Sequence, residues 1–223
     1  MYSPLEVRST TDPRTPLARR SGAGLRGAVA PHRSFDPGVV GRLEAAAWVA
    51  YYRREWGAFL RLSLTLGRHV LRLSWPATVR TAWLVLRAVR LWAPLRDNDP
   101  VRARRVMQRF YGLAARAGGE AFDPAVAAEL ELEWWHVHRV GQYGGGGDAA
   151  ARALTVALAR LYAHVYAVPE SAVAPAAQRR ASAMALSDRW VSAGCHRDDP
   201  LIDEVRAELI DSYAALAVAV DAR

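Results

Sequence analysis

Glu133-Trp134-Trp135-His136 sets a carboxylate and an imidazole three positions apart. On a helix that spacing brings both to one face, where they can ligate a metal or share a proton. Ferritin-like di-metal carboxylate sites use two such pairs and two further Glu. Only one ExxH is present here, so the sequence predicts no metal and no cofactor, with a metal-dependent helical oxygenase as the remoter alternative. Without metal, a carboxylate walled by apolar side chains has a raised pKa and can act as a general base. The expectation is an interior pocket in which Glu133, His136 and Asp188 carry the acid–base chemistry. Arg90, Arg87, Glu55, Glu44 and Tyr51 would bind a small anionic or amphoteric metabolite there.

The expectation follows from charged groups that fall inside apolar stripes, because an isolated buried charge must pair, bind a ligand or shift its pKa. Glu44 and Glu55, eleven residues apart, align within about 20° on one helical face, beside Trp48, Tyr51 and Phe59. Arg90 lies in the stripe of Val79, Trp83 and Leu86, with Arg87 at its border. Glu133 falls among Val126, Leu130 and Val137. Asp188 falls among Ala177, Ala181, Met184 and Cys195. Buried ion pairs of Arg90 and Arg87 with Glu55, Glu133 or Asp188 would satisfy the same pattern with no chemistry. His138 reads as a surface or edge histidine, and Cys195 as a small buried residue.

The elements that must position these groups are helices. Apolar residues at 3.6-residue spacing, started by Asp-Pro and stopped by Gly or Pro, predict about seven helices in one all-α bundle, residues 36–223. Residues 1–35, rich in Arg, Pro and Gly, read as a flexible arm. The first helix spans Leu43 to Leu73, with Arg53, Arg54, Arg61, Arg68 and Arg72 on its polar side. The others run near 77–93, 100–117, 124–139, 148–167 and 174–194, and the last follows Asp199-Pro200. Glu129 to Trp134 alternates like a strand, but alanine-rich flanks favour helix.

Composition narrows the chemistry. All 30 basic residues are Arg, which removes Schiff-base, pyridoxal-phosphate and P-loop lysines. The sequence holds no GxSxG, no HExxH and no GxGxxG opening a helix after a strand. A single cysteine, Cys195, excludes an internal disulfide and cysteine-based metal clusters. The net charge of +8 is uneven. Residues 1–40 carry six Arg and three acids, residues 41–116 fifteen Arg and four acids, and residues 117–223 nine Arg and fifteen acids. A basic half and an acidic half are expected to neutralise each other, which makes nucleic acid an unlikely partner. No apolar run reaches the ~20 residues of a membrane span, and Arg19-Arg20 lacks a following apolar segment, so a cytoplasmic protein is expected.

Three stretches carry a resemblance: Leu91 to Pro100, Glu133-Trp134-Trp135 with His138-Arg139, and Ser187 to Val191. They are similar to helical proteins of high-GC actinobacteria. The resemblance covers most of the chain after residue 40 and implies a kind of source, with no activity attached. The alternative to the pocket is a non-catalytic interaction protein. Its Arg face on the first helix, continuous through Arg54, Arg61 and Arg68, would dock an acidic protein partner.

Overall fold

A computed structural model describes residues 34–94, 96–145 and 147–221; the expectation for residues 1–33 of the arm lies outside them. Eight α-helices and no strand occur among the described residues. They are α1 (Pro37–Tyr52), α2 (Trp56–Leu71), α3 (Trp75–Trp92), α4 (Pro100–Gly118), α5 (Pro124–Tyr143), α6 (Asp148–Tyr166), α7 (Glu170–Ser192) and α8 (Leu201–Asp221). The fold is an all-α bundle.

Capping explains most of the boundaries. An Asp side chain accepts a backbone N–H at the start of α1, α4 and α5: Asp36 from Val39, Asp99 from Arg102 and Asp123 from Ala125, each with Pro as the next residue. Asp199 accepts from Leu201 N in the same way before α8. Gly119, at φ +67°, ends α4 in the left-handed conformation that glycine adopts without strain.

Eight helices replace the expected seven because the first long helix breaks. The break lies at Arg53 to Glu55. Arg54 has φ 61°, and Glu55 N donates to Ala50 O at 2.8 Å. Arg53 turns out of the helix, donating from Nε to Glu55 Oε1 at 2.9 Å and from Nη1 to the Cys195 carbonyl at 2.6 Å. These bonds offset the strain of a non-glycine residue at positive φ. The break separates Arg53 and Arg54 from Arg61, Arg68 and Arg72, so the expected continuous Arg face does not exist. Two further boundaries move. Trp75-Pro76 opens α3, ahead of the expected start near 77, since proline fits the first turn. The start of α7 lies at Glu170, ahead of Pro175. Of the predicted arm, Phe35 packs edge-on against Tyr213, with ring centres 5.7 Å apart.

Each helix packs on the next in the chain, and α8 returns to pack on α1 as well as α7, so the contacts form a closed circuit. Leu158, Val173, Met184 and Leu216 anchor one apolar cluster, from α6, α7 and α8. Leu84, Met107, Tyr111 and Leu132 anchor another, from α3, α4 and α5. Ala45, Ala183, Val205 and Leu209 tie α1 to α7 and α8. α2 stands apart, since none of its residues is fully buried.

The closing contact depends on Gly41. A Cβ there would stand 2.7 Å from Ile210 N and 2.8 Å from Ile210 Cα, atoms of α8 that cannot rotate away. Gly41→Ala is expected to cost about 1–3 kcal/mol by overpacking, despite alanine's better helix propensity. Chemical denaturation checks this; a variant as stable as the parent would show that α1 and α8 slide apart freely.

Candidate functional site

Two arrangements of polar groups stand out, one inside the circuit of helices and one on its surface. The interior one begins at Glu44, buried on α1. Arg180 of α7 meets it with two bonds, Nη1 to Oε2 at 3.0 Å and Nη2 to Oε1 at 2.5 Å. The Tyr213 hydroxyl of α8 donates to Oε2 at 2.6 Å. Arg180 also lies 5.6 Å from the centre of the Trp48 ring. Desolvation opposes its charge, but Glu44 beside it holds the guanidinium protonated, well above its ordinary value. Tyr213 and Tyr162 are pushed up by burial, so both phenols stay neutral.

Glu131 of α5 continues this network. It accepts from the Tyr111 hydroxyl at 2.7 Å and from Trp135 Nε1 at 3.0 Å. The Trp134 indole N–H acts on the same carboxyl, yet it is buried without a hydrogen bond of good geometry. Burial is the largest influence and raises the Glu131 carboxyl above its ordinary 4.5; Tyr111, Trp134, Arg180 and Trp135 only partly oppose it. The folded protein therefore holds that proton more tightly than the unfolded chain. Glu131 contributes its full stability below the ordinary value, and that contribution is lost as pH rises through the folded value. The stability of Glu131→Gln relative to the parent is expected to climb as pH rises from 4.5 toward neutrality. Urea titrations across that range test it; a difference that stays flat or falls would contradict the raised carboxyl.

The residues expected to form one interior pocket do not converge. Glu133 faces α6, where Arg160 meets it at 3.0 Å with both side chains well exposed. The inward side of α5 is the other one, bearing Ala127, Ala128, Glu131, Leu132 and Trp135, and Val126 is exposed. His136 is exposed beside a cleft of about 420 Å³ lined mainly by Val137, Val140, Gly141 and Ala150. Asp188 accepts instead from His138 Nε2 at 3.0 Å and Gln142 Nε2 at 2.6 Å. His138 is thus packed between α5 and α7, not at the edge. Cys195 is half-exposed with φ 57°. Arg87 and Arg90 lie on the exposed outer side of α3, with Val79 and Trp83. Glu55 is held by Arg53 and by Arg197 Nη2, the latter at 2.5 Å. The Arg53 hydrogen bond is the largest influence lowering its pKa. Tyr51 packs among Tyr52, Trp56 and Phe59. Of the expected set, only Glu44 belongs to the interior network. No cluster of three or more His, Cys, Asp or Glu among the described residues could hold a metal ion.

The surface arrangement is an open groove of about 510 Å³ between α3, α4 and the start of α5. Arg80, Arg105, Arg109 and Arg116 line it with Gln108, Gly112, Leu113 and Pro124. Arg80, Arg105 and Arg109 make no ion pair among the described residues. The described ion pairs lie elsewhere: Arg160 with Glu133, Arg179 with Glu208, Arg180 with Glu44, Arg197 with Glu55 and Arg206 with Asp203. Within the basic half, Arg53 pairs with Glu55 and Arg102 with Asp99. Glu120 aside, no acid of residues 117–223 is described in a pair with an arginine of 41–116. Arg180–Glu44 and Arg197–Glu55 join the two halves, but both use acids of the basic half and so do not offset its excess of arginine. Glu133, Glu208, Asp203 and Asp99 pair with arginines of their own half.

No helix among the described residues is long and apolar enough to cross a membrane. Compared with known protein families, with curated proteins and with solved structures, the chain finds no match.

Proposed function

We propose that this chain is a non-catalytic docking protein that binds a polyanionic partner in the groove between α3 and α4. One observation carries the reading: Arg80, Arg105, Arg109 and Arg116 converge on an open groove with no carboxylate among its lining residues. Like charges gathered on one surface repel, and an anionic ligand with several oxygens would relieve that repulsion through charge-assisted, bidentate bonds. Guanidinium groups suit phosphate or carboxylate oxygens better than ammonium groups would, and the chain has arginine but no lysine.

An interior acid–base site for a small metabolite has less support. Glu133, His136 and Asp188 occupy three separate surroundings, and the interior carboxylate Glu44 is already saturated by Arg180 and Tyr213.

Isothermal titration with inorganic tripolyphosphate tests the groove. Binding is expected at low salt and should weaken as salt screens the charges. Replacing Arg105 and Arg109 together by Gln removes two charge-assisted contacts and should weaken binding about tenfold or more. Unchanged affinity in that double variant, or no binding by the parent at low salt, would refute the reading.

A further inference from the structure

We propose that the outer face of α2 and α3 lies flat on an anionic lipid bilayer, with the neighbouring Arg groove gripping headgroup phosphates. This rests on the polyanion reading of the groove and names its partner. The first observation is apolar surface that the fold leaves in water. Trp75, Val79 and Trp83, four residues apart along α3, are 59%, 52% and 59% exposed, and Trp56 and Leu60 of α2 are 56% and 49% exposed. Large apolar side chains left this exposed, three of them tryptophans, mark an interaction surface on a folded domain.

The second observation is charge. From residue 56 to residue 96 there is no Asp or Glu, against seven Arg. The two acids just before this region are engaged elsewhere: Glu44 points inward to Arg180, and Glu55 sits at the helix break with Arg53 and Arg197. Nothing on the face would be repelled by phosphates. The Arg68 guanidinium lies 4.4 Å from the centre of the Trp75 ring, so the cation travels with the indole into the headgroup layer.

The third observation is layout. At 100° per residue along α3, Trp75 and Val79 lie on one flank, Trp83 and Arg90 in the middle, and Arg80 and Arg87 on the other. Arg80 lines the groove shared with α4, so Trp75 and Val79 occupy the flank away from α4. An apolar strip and a cationic strip therefore run side by side, the pattern of a helix lying in a membrane interface. Tryptophan indoles favour that interface because one edge is apolar and the N–H is polar. Val79 and Leu60 offer no ring on which a base could stack, which favours lipid over single-stranded nucleic acid. Neither helix is apolar enough to cross the bilayer, so the contact is peripheral.

The test uses the full chain with vesicles of phosphatidylcholine alone and of phosphatidylcholine mixed with phosphatidylglycerol. Co-sedimentation with the mixed vesicles only, accompanied by a blue shift of tryptophan emission, is the expected result. Replacing Trp75 and Trp83 together by Ser, both more than half exposed and neither lining the groove, should weaken vesicle binding about tenfold and leave tripolyphosphate binding unchanged. Replacing Arg105 and Arg109 together by Gln should weaken both. Tripolyphosphate binding without vesicle binding would overturn the lipid inference while leaving the groove reading intact; loss of both would overturn both. Self-association that shields these tryptophans, or single-stranded DNA that binds in preference to the vesicles, would also overturn it.

Discussion

Glu44→Gln is expected to lower the thermal midpoint by on the order of 10 °C, because removing one member of a buried ion pair costs about 3–5 kcal/mol. The side chains of Glu44 and Arg180 are 9% and 13% exposed. Glutamine keeps the shape of Glu44 and one acceptor for Tyr213 or Arg180. It leaves the guanidinium charged, since the arginine cannot give up its proton at accessible pH. Arg180→Met should cost as much from the other side, stranding the carboxylate. The distinguishing measurement is a variant in which Glu44→Leu, Arg180→Met and Tyr213→Phe are combined. Apolar side chains of similar volume replace the whole buried cluster there, and most of the lost stability should return. If the combined variant is as unstable as the sum of its parts, the network contributes through something other than mutual charge compensation.

Trp190→Ala should destabilise by about 3–5 kcal/mol. Trp190 is 2% exposed and ranks with the largest fully buried side chains. Its indole N–H donates to the His196 carbonyl at 2.8 Å, and the ring of Tyr52 packs edge-on at 6.2 Å. Alanine therefore opens a cavity at the end of α7 and orphans a carbonyl in the turn that carries Cys195. Trp190→Phe separates the two effects: it keeps most of the apolar volume, so it should lose about 1–3 kcal/mol, mainly from the unsatisfied carbonyl. Urea denaturation measures both variants, and a phenylalanine variant as damaged as the alanine one would place the effect in the hydrogen bond alone.

The helices were legible from local chemistry, because Asp side chains accepting backbone N–H groups and a glycine at positive φ act within a few residues. What hydropathy misread was the direction each helix faces. On α3 it marks Val79 and Trp83 as inward, yet the buried side carries Thr78 and Thr81. Their hydroxyls donate to backbone carbonyls, Thr78 to Ser74 O at 3.0 Å and Thr81 to Thr78 O at 2.8 Å. With the polar atom satisfied, a threonine packs as a small apolar residue; Thr78 Cγ2 comes within 3.7 Å of the place a Cβ would take at Gly67. On α5 the alternation Glu129, Glu131, Glu133 offered three carboxylates with little to choose among them. The inward one, Glu131, is selected by Tyr111, twenty residues earlier, and by Trp135. A spacing signal was present, since Ala127, Glu131 and Trp135 recur every four residues with Ala128 and Leu132 alongside. Small residues beside an aromatic marked the packed side better than Val126 and Leu130 did. The interior pairing of Glu44 with Arg180 joins positions 136 residues apart, and no pattern along the chain encodes that.

The return of α8 to α1 has a consequence for how the chain emerges from a ribosome. Translation is vectorial, and α1 leaves the exit tunnel long before its partners exist. Glu44 must stay hydrated until Arg180 has been made, and Tyr213 comes later still. During that interval α2 to α6 can pair with their chain neighbours as each appears, in the order of synthesis. The first helix cannot dock on α8 until residues 201–221 have been synthesised and have left the tunnel. A stalled chain ending before α8 should remain open to protease at α1 while its middle helices resist.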